Sequence, residues 1–242
     1  MPIGVIVNSL SILFGGIFGA IGGKYMSDDF KTNINMIFGA CSMAMGVYAI
    51  APMKNLAAVI FATIIGTVLG LVIHLGKHVN NGAMVMQRGI SKIIKNTNTS
   101  MSDIEFSAEL VTVIVLFCAS GTGIYGSLTE GMTGDTSILI SKSVLDFFTA
   151  AIFATNLGYV VSVIAVPQFI IFGVLFGIAG YVYPLTTPAM ILDFKAVGGL
   201  LMLATGFRMI KVKMFPTADM IPAMILIMPI SWMWTTWIMP LL

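Results

Sequence analysis

Lys142 and Asp146 stand four residues apart in a stretch otherwise written in Ile, Leu, Val, Phe, Ala and small hydroxyl residues. On a helix that spacing sets an ammonium and a carboxylate on one face, and Thr149, Phe153 and Asn156 continue the face. Counted from Ile138 at about 1.5 Å per residue, Asp146 lies roughly 12 Å into an apolar layer, near the middle of a bilayer. A carboxylate at that depth can take up a cation or a proton; the competing reading is an ion pair with Lys142 that only locks two helices. Just upstream, residues 119 to 137 read ASGTGIYGSLTEGMTGDTS and hold Ser120, Thr122, Glu130 and Asp135 among glycines. Glycine at that density predicts a broken helix or re-entrant segment whose backbone groups bind ions or polar solutes, with an ordinary extracellular loop as the alternative. Ser120, Thr122, Glu130, Asp135, Lys142, Asp146, Thr149 and Asn156 are therefore the candidate residues for binding an ion or small solute. Ala154 to Gly158 offers a similar break on the opposite side.

Other chemistries find less support. His74 and His78 could put two imidazoles on one metal, but no third ligand is evident, so no metal site is expected. They read as helix-end cations. Asp28 and Asp29 beside Lys24 and Lys31 read as a solvated turn, and Cys41 and Cys118 as packing residues. The sequence contains no phosphate-binding glycine loop, no GxSxG elbow and no zinc signature. Neither an enzyme, a cofactor nor an ATP-driven pump is expected.

The elements that carry these residues must be membrane helices. Of 242 residues, 58% are apolar and 9% charged, and the mean hydropathy is +1.01. A crossing takes about 20 apolar residues, so eight of them leave no room for a folded soluble domain. Apolar runs fall at about 3 to 22, 34 to 51, 55 to 75, 108 to 126, 137 to 160, 163 to 183, 187 to 209 and 217 to 240. The expected fold is all-α, a single polytopic transmembrane domain over 1–242. The first run is full length with no cleavage signal after it and reads as a mature helix. Of twelve cations, nine fall inside if the N-terminus is outside, which places both termini outside. Trp232, Trp234 and Trp237 fit an outer aromatic belt. The net charge of +2 gives no electrostatic case for nucleic acid, so the expected partners are the lipid bilayer and a small solute or ion, with room for a homo-oligomer.

The connection from 76 to 107 is the only long one. Met86, Ile90, Ile93 and Ile94 share one helical face and Arg88, Lys92 and Lys95 the other, the pattern of a helix lying on the anionic inner leaflet. Asn96 to Ser102 reads as a flexible linker.

The chain also repeats itself. Gly15-x-x-x-Gly19-x-x-Gly22 in the first span matches Gly173-x-x-x-Gly177-x-x-Gly180 in the sixth. Each is followed by a short polar connection with Asp-Phe-Lys (29–31 and 193–195), then a helix through Gly46 or Gly206, then a third element opening at Asn55 or Asp219. Spans one to three (3–75) and six to eight (163–242) would be inverted repeats around a central broken-helix pair (108–162), an arrangement that gives alternate access to one site. Short similarity can also arise from membrane composition alone. The six glycines read as helix-packing positions, with Asn8 and Ser11 on the same stripe.

Gly126-Ser127, Glu130-Gly131 and Gly134-Asp135, followed by Leu139, Lys142-Ser143 and Asp146, resemble the bacterial membrane proteins grouped as domain of unknown function 554. That family's pattern is GS-x-x-(D/E)G-x-x-GD, then L-x-x-KS-x-x-D. The chain is similar to it again at Asn8, Leu10, Gly15 and Gly16, and at Ala196 to Gly199. Met220 to Pro222 fits its last helix, although Asp219 stands where asparagine is expected. The resemblance implies a bacterial inner-membrane protein and no substrate. A small secondary transporter is the leading functional expectation, against a passive channel or a non-transporting scaffold or sensor.

Overall fold

The computed structural model describes residues 1–93 and 101–241, all-helical throughout the described elements. The predicted linker from Asn96, with Ile94 and Lys95 of the amphipathic pattern, falls outside them as far as residue 100. In order the helices are α1 (Ile3–Gly22), α2 (Asp28–Ile50), α3 (Leu56–Val72), α4 (Leu75–Ile93), α5 (Asp103–Cys118) and α6 (Gly121–Thr133). They continue with α7 (Ser137–Leu157), α8 (Val160–Val163), α9 (Ala165–Val182), α10 (Pro188–Met209) and α11 (Pro222–Met233). Among the described residues seven segments are long and apolar enough to cross a membrane, including α5 and α6 taken together as Asp103–Thr133. The broken pair Leu56–Val72 and Leu75–Lys92 brings the number to eight. The expected all-α architecture of about eight spans is the one observed.

Local chemistry moves several boundaries. Asp29-Phe30-Lys31 is the start of α2 and not a connection, because the Ser27 hydroxyl accepts from the Phe30 N–H at 3.2 Å and starts the helix there. Asp193-Phe194-Lys195 is likewise helical. Thr187 caps α10 and Pro188 occupies its first position, so the triplet lies inside the second turn. The glycine-rich segment also folds as a helix. Ser120 accepts from the Gly123 N–H at 3.1 Å to start α6 after a two-residue break. Gly134, at φ 75°, ends the helix in the left-handed conformation. Glycine's cost is offset by packing: at Gly123 a Cβ would overlap the Phe172 ring, and at Gly126 it would meet Leu139 at 2.8 Å. The break expected within 154–158 is displaced to its last residue, since α7 runs through Leu157 and stops at Gly158, φ 71°.

The chain divides into two compact units, one of Met1–Asn35 with His78–Ile178, the other of Met36–Lys77 with Ala179–Leu242. Neither coincides with a three-span repeat, for α2 and α9 each pass from one unit to the other.

In the first unit, α1 lies along α7. A Cβ at Gly15 or Gly19 would overlap the Phe147 or Ala151 carbonyl oxygen. The pairing advances by four residues on both helices, so they run in the same direction. Ile12, Leu110, Ile114, Phe117, Val160 and Ile164 form the core beside them. Ala83 and Ile90 of α4 are buried in that same core, with Met86 packed on it, and the Gln87 amide donates to Ser107 at 3.2 Å. At Met86 and Ile90 the apolar face of the expected leaflet-bound helix packs into this core, while Arg88 and Lys92 are exposed.

The second unit is organised by α2 and α10, which cross antiparallel through glycines. A Cβ at Gly46 would meet the Gly199 oxygen at 2.7 Å, and one at Gly199 the Gly46 oxygen at 2.6 Å. Gly39 and Gly206 face each other in the same reciprocal way, at 3.0 and 2.7 Å. Between them Ser42 Oγ donates to the Met202 carbonyl at 3.0 Å. The α3 helix packs against α11, with Gly66 on Ala223 and Gly70 on Asp219.

The second glycine motif differs from the first. A Cβ at Gly173, Gly177 or Gly180 would meet none of the described atoms within 4 Å, and the same is true of Gly22. These four positions pack no neighbour among the described atoms; on α9 the three glycines lie beside exposed Val174 and Ile178.

Candidate functional site

The close approach of α1 to α7 decides what Asp146 touches. With glycines in place of side chains, the two backbones come near enough for the Asn8 amide to reach across, and Asn8 Nδ2 donates to Asp146 Oδ2 at 2.8 Å. From the other side Lys142 Nζ makes an ion pair with the same oxygen. Lys142 also lies over the Phe117 ring, 5.9 Å from its centroid, a favourable place for a cation. The network continues away from the acid: Gln168 Nε2 of α9 donates to Asn8 Oδ1 at 2.5 Å, and Ser9 Oγ donates to Gln168 Oε1 at 2.7 Å. Every donor thus points toward Asp146. The five residues are 0–7% exposed, so the carboxylate exchanges its hydration for one ammonium and one chain of amides.

Two of the eight predicted residues, Lys142 and Asp146, are therefore in direct contact, and Thr149 is buried on the next turn of α7. The others are dispersed. The Glu130 carboxylate, 2% exposed, accepts from the N–H groups of Gly4 and Val5 at 2.8 and 3.2 Å and so caps α1. Asp135 accepts from the Ser137 N–H at 3.0 Å and from its hydroxyl at the start of α7. Ser120 caps α6, and Thr122 is buried in its first turn. Asn156 is exposed near the end of α7, with Glu109 at 3.5 Å. Ten residues separate it from Asp146, about 15 Å along the helix, so it does not join the pair. Helical phase alone put it on the stripe.

Sequence reasoning missed Asn8 as a partner of the acid, reading it as part of a small-residue stripe, and did not single out Gln168. The available signal was cost. A lone amide in an apolar span needs a hydrogen-bond partner, and Gln168 is the sole Asn or Gln of α9. The two acids in the Asp-Phe-Lys triplets also differ: Asp29 is exposed, whereas Asp193 is fully buried.

A chain of apolar helices with a buried, internally hydrogen-bonded ion pair in its first unit is an integral membrane protein of the polytopic helical class. It belongs to the family described as "Protein of unknown function (DUF554)", whose profile matches residues 3–232. The chain is similar to the uncharacterized protein YqgA of Escherichia coli (strain K12), 44% identical over 237 residues that cover 98% of this chain and 99% of that one. It is also similar to the uncharacterized membrane protein YdfK of Bacillus subtilis (strain 168), 25% identical over 231 residues that cover 92% and 93%. No solved structure matches the chain.

Proposed function

We propose that this membrane protein is a secondary transporter of an ion or small polar solute and not an enzyme, with Asp146 as the carboxylate that exchanges its partner. The observation that carries the reading is the Lys142–Asp146 pair itself. An acid held near mid-span by one ammonium and one amide, with all donors aimed at it, can release either partner to a cation or solute that competes for the same oxygen.

Two features support alternating access. The α2–α10 contacts are self-reciprocal: shifting by 160 residues exchanges Gly39 with Gly199 and Gly46 with Gly206, and turns each contact into the other. The side chains follow, since Ile210 lies on Gly39 as Ile50 lies on Gly199, and Met43 on Gly206 as Leu203 on Gly46. Ser42 and Met202, which bond directly, are each other's equivalents. This is the pattern of a two-fold axis between oppositely directed helices, as an inverted repeat requires. In addition, α1 and α7 run in the same direction, which demands an odd number of crossings between them. Counting the α3–α4 pair as a crossing meets that demand and supports a topology of eight spans with both termini on one face, the outside by the cation bias. The proposed location is a bacterial inner membrane.

A specific observation favours a second reading, a scaffold in which the pair is a lock. One cavity of about 250 Å³ is lined by Ile6, Ser9 and Val166 among others, and one of about 320 Å³ by Leu71, His74, Lys77 and Asp219; neither is lined by Lys142 or Asp146. Charge displacement in proteoliposomes on solid-supported membranes, screened with inorganic cations and zwitterionic solutes, separates the two. A solute-dependent current abolished by Asp146→Asn, with thermal unfolding nearly unchanged, is the expected result. Currents equal in wild type and Asp146→Asn would sink the transport role of Asp146.

A further inference from the structure

The second unit holds a buried acid that the Asp146 network does not use. Asp193 is fully buried, and its carboxylate is engaged differently on its two oxygens. Oδ1 accepts from the backbone N–H groups of Lys54 and Asn55, both at 2.9 Å. Oδ2 accepts from Asn55 Nδ2 at 2.8 Å and from Ser231 Oγ at 2.6 Å. The Asn55 amide also reaches Thr235 Oγ1 at 3.2 Å. None of these four donors to the acid carries a charge.

The side chains around Oδ2 each carry an oxygen as well as a hydrogen. A hydroxyl can turn its hydrogen away, and an amide rotated by half a turn presents oxygen where nitrogen stood, at nearly the same volume. Asp193 Oδ2, Asn55 Oδ1, Ser231 Oγ and Thr235 Oγ1 then become four oxygen ligands with one negative charge among them. An all-oxygen set suits a hard cation, and a single carboxylate matches a single positive charge; divalent ions draw on more carboxylates, and transition metals on imidazole or thiolate. Among the described residues no three of His, Cys, Asp and Glu are grouped to hold such a metal.

Two independent features point the same way. Asn55 occupies the N-cap of α3 but makes no capping bond to it, although capping is what an asparagine there ordinarily does. Its amide is turned to Asp193 and Thr235 instead. Thr235 comes from a π-helical turn, Trp234–Ile238, that follows α11 with its internal Pro229. Such wide turns recur at functional sites, where they redirect a side chain out of α-helical register.

We propose that Asp193, Asn55, Ser231 and Thr235 bind one sodium ion. Its use as a coupling ion rests on the transport reading above; the site itself does not.

The test is thermal unfolding of the full-length protein in nanodiscs, with NaCl titrated against choline chloride at constant ionic strength. Sodium should raise Tm saturably and choline should not. Asp193→Asn should remove the response. Ser231→Ala and Thr235→Val keep the acid and should each raise the half-saturating sodium concentration about tenfold, and they decide the matter if Asp193→Asn does not fold. Asp146→Asn should leave the response unchanged. A wild type that responds to pH but not to sodium, or a response untouched by Ser231→Ala and Thr235→Val, overturns the site. An intact sodium response without any transport current sinks the transport reading alone, and a current without a sodium response sinks this site alone.

Discussion

Asn8 donates to Asp146 across 138 residues of sequence, at 2.8 Å, and in doing so ties the first helix of the chain to the seventh. The same asparagine accepts from Gln168, so one side chain holds three helices at a common point.

Replacing Asn8 with Leu strands both neighbours, the acid and the Gln168 amide. A loss of about 1–3 kcal/mol for each buried group left without its partner is expected. Thermal unfolding should show a clear drop for Asn8→Leu and a smaller one for Gln168→Leu. The double change should cost less than the sum, because the two share one hydrogen bond.

For the ion pair the single and double changes decide between lock and exchange site. If Asp146 only locks α7 in place, Lys142→Met and Asp146→Asn each lower stability by about 3–5 kcal/mol and the double change restores it. If Asp146 is the exchange site, the double mutant stays inactive whatever its stability. Recovery of both in the double mutant would end the transport claim for this residue.

The two glycine motifs should respond in opposite ways to alanine. Gly19→Ala drives a Cβ into the Ala151 carbonyl and should destabilise the protein strongly, whereas Gly177→Ala meets none of the described atoms. There the gain in helix propensity, about 0.5–1 kcal/mol, should appear as unchanged or slightly higher Tm. A large loss at Gly177 would show that the outward face of α9 packs against another chain.

Cysteine introduced at Lys92, exposed on α4, should be labelled from the cytoplasmic side only, once exposed Cys41 has been replaced. Labelling by an impermeant reagent from the periplasm of intact cells would reverse the orientation.

Sequence pattern made the crossings and the Lys142–Asp146 pair legible, since hydropathy and a four-residue spacing are local properties. Asn8 and Gln168 were harder because a single amide has no period, and its partner lies more than a hundred residues away. Asp193 was misassigned for a related reason. Polar residues at the head of a helix look like a connection until Thr187 and Pro188 are recognised as starting the helix earlier. Glycine density pointed to the break that falls at Ala119–Ser120 but not to the helix after it, where tertiary packing against Phe172 and Leu139 overrides a weak local preference.

Asn55 precedes Asp193 by the same 138 residues that separate Asn8 from Asp146. Because synthesis runs from the N-terminus, each amide is in place before the acid it will hold emerges from the ribosome. An aspartate at the centre of a lone inserting helix, as Asp146 is in α7, costs about 2.5–3.5 kcal/mol, and one in the second turn, as Asp193 is in α10, costs less. Here α7 and α10 can pass from the translocon onto a donor already seated in the bilayer. Loss of Asn8 or Asn55 should therefore register first in biogenesis, as failed insertion and rapid degradation of nascent chains, before any assay of the finished protein could detect it.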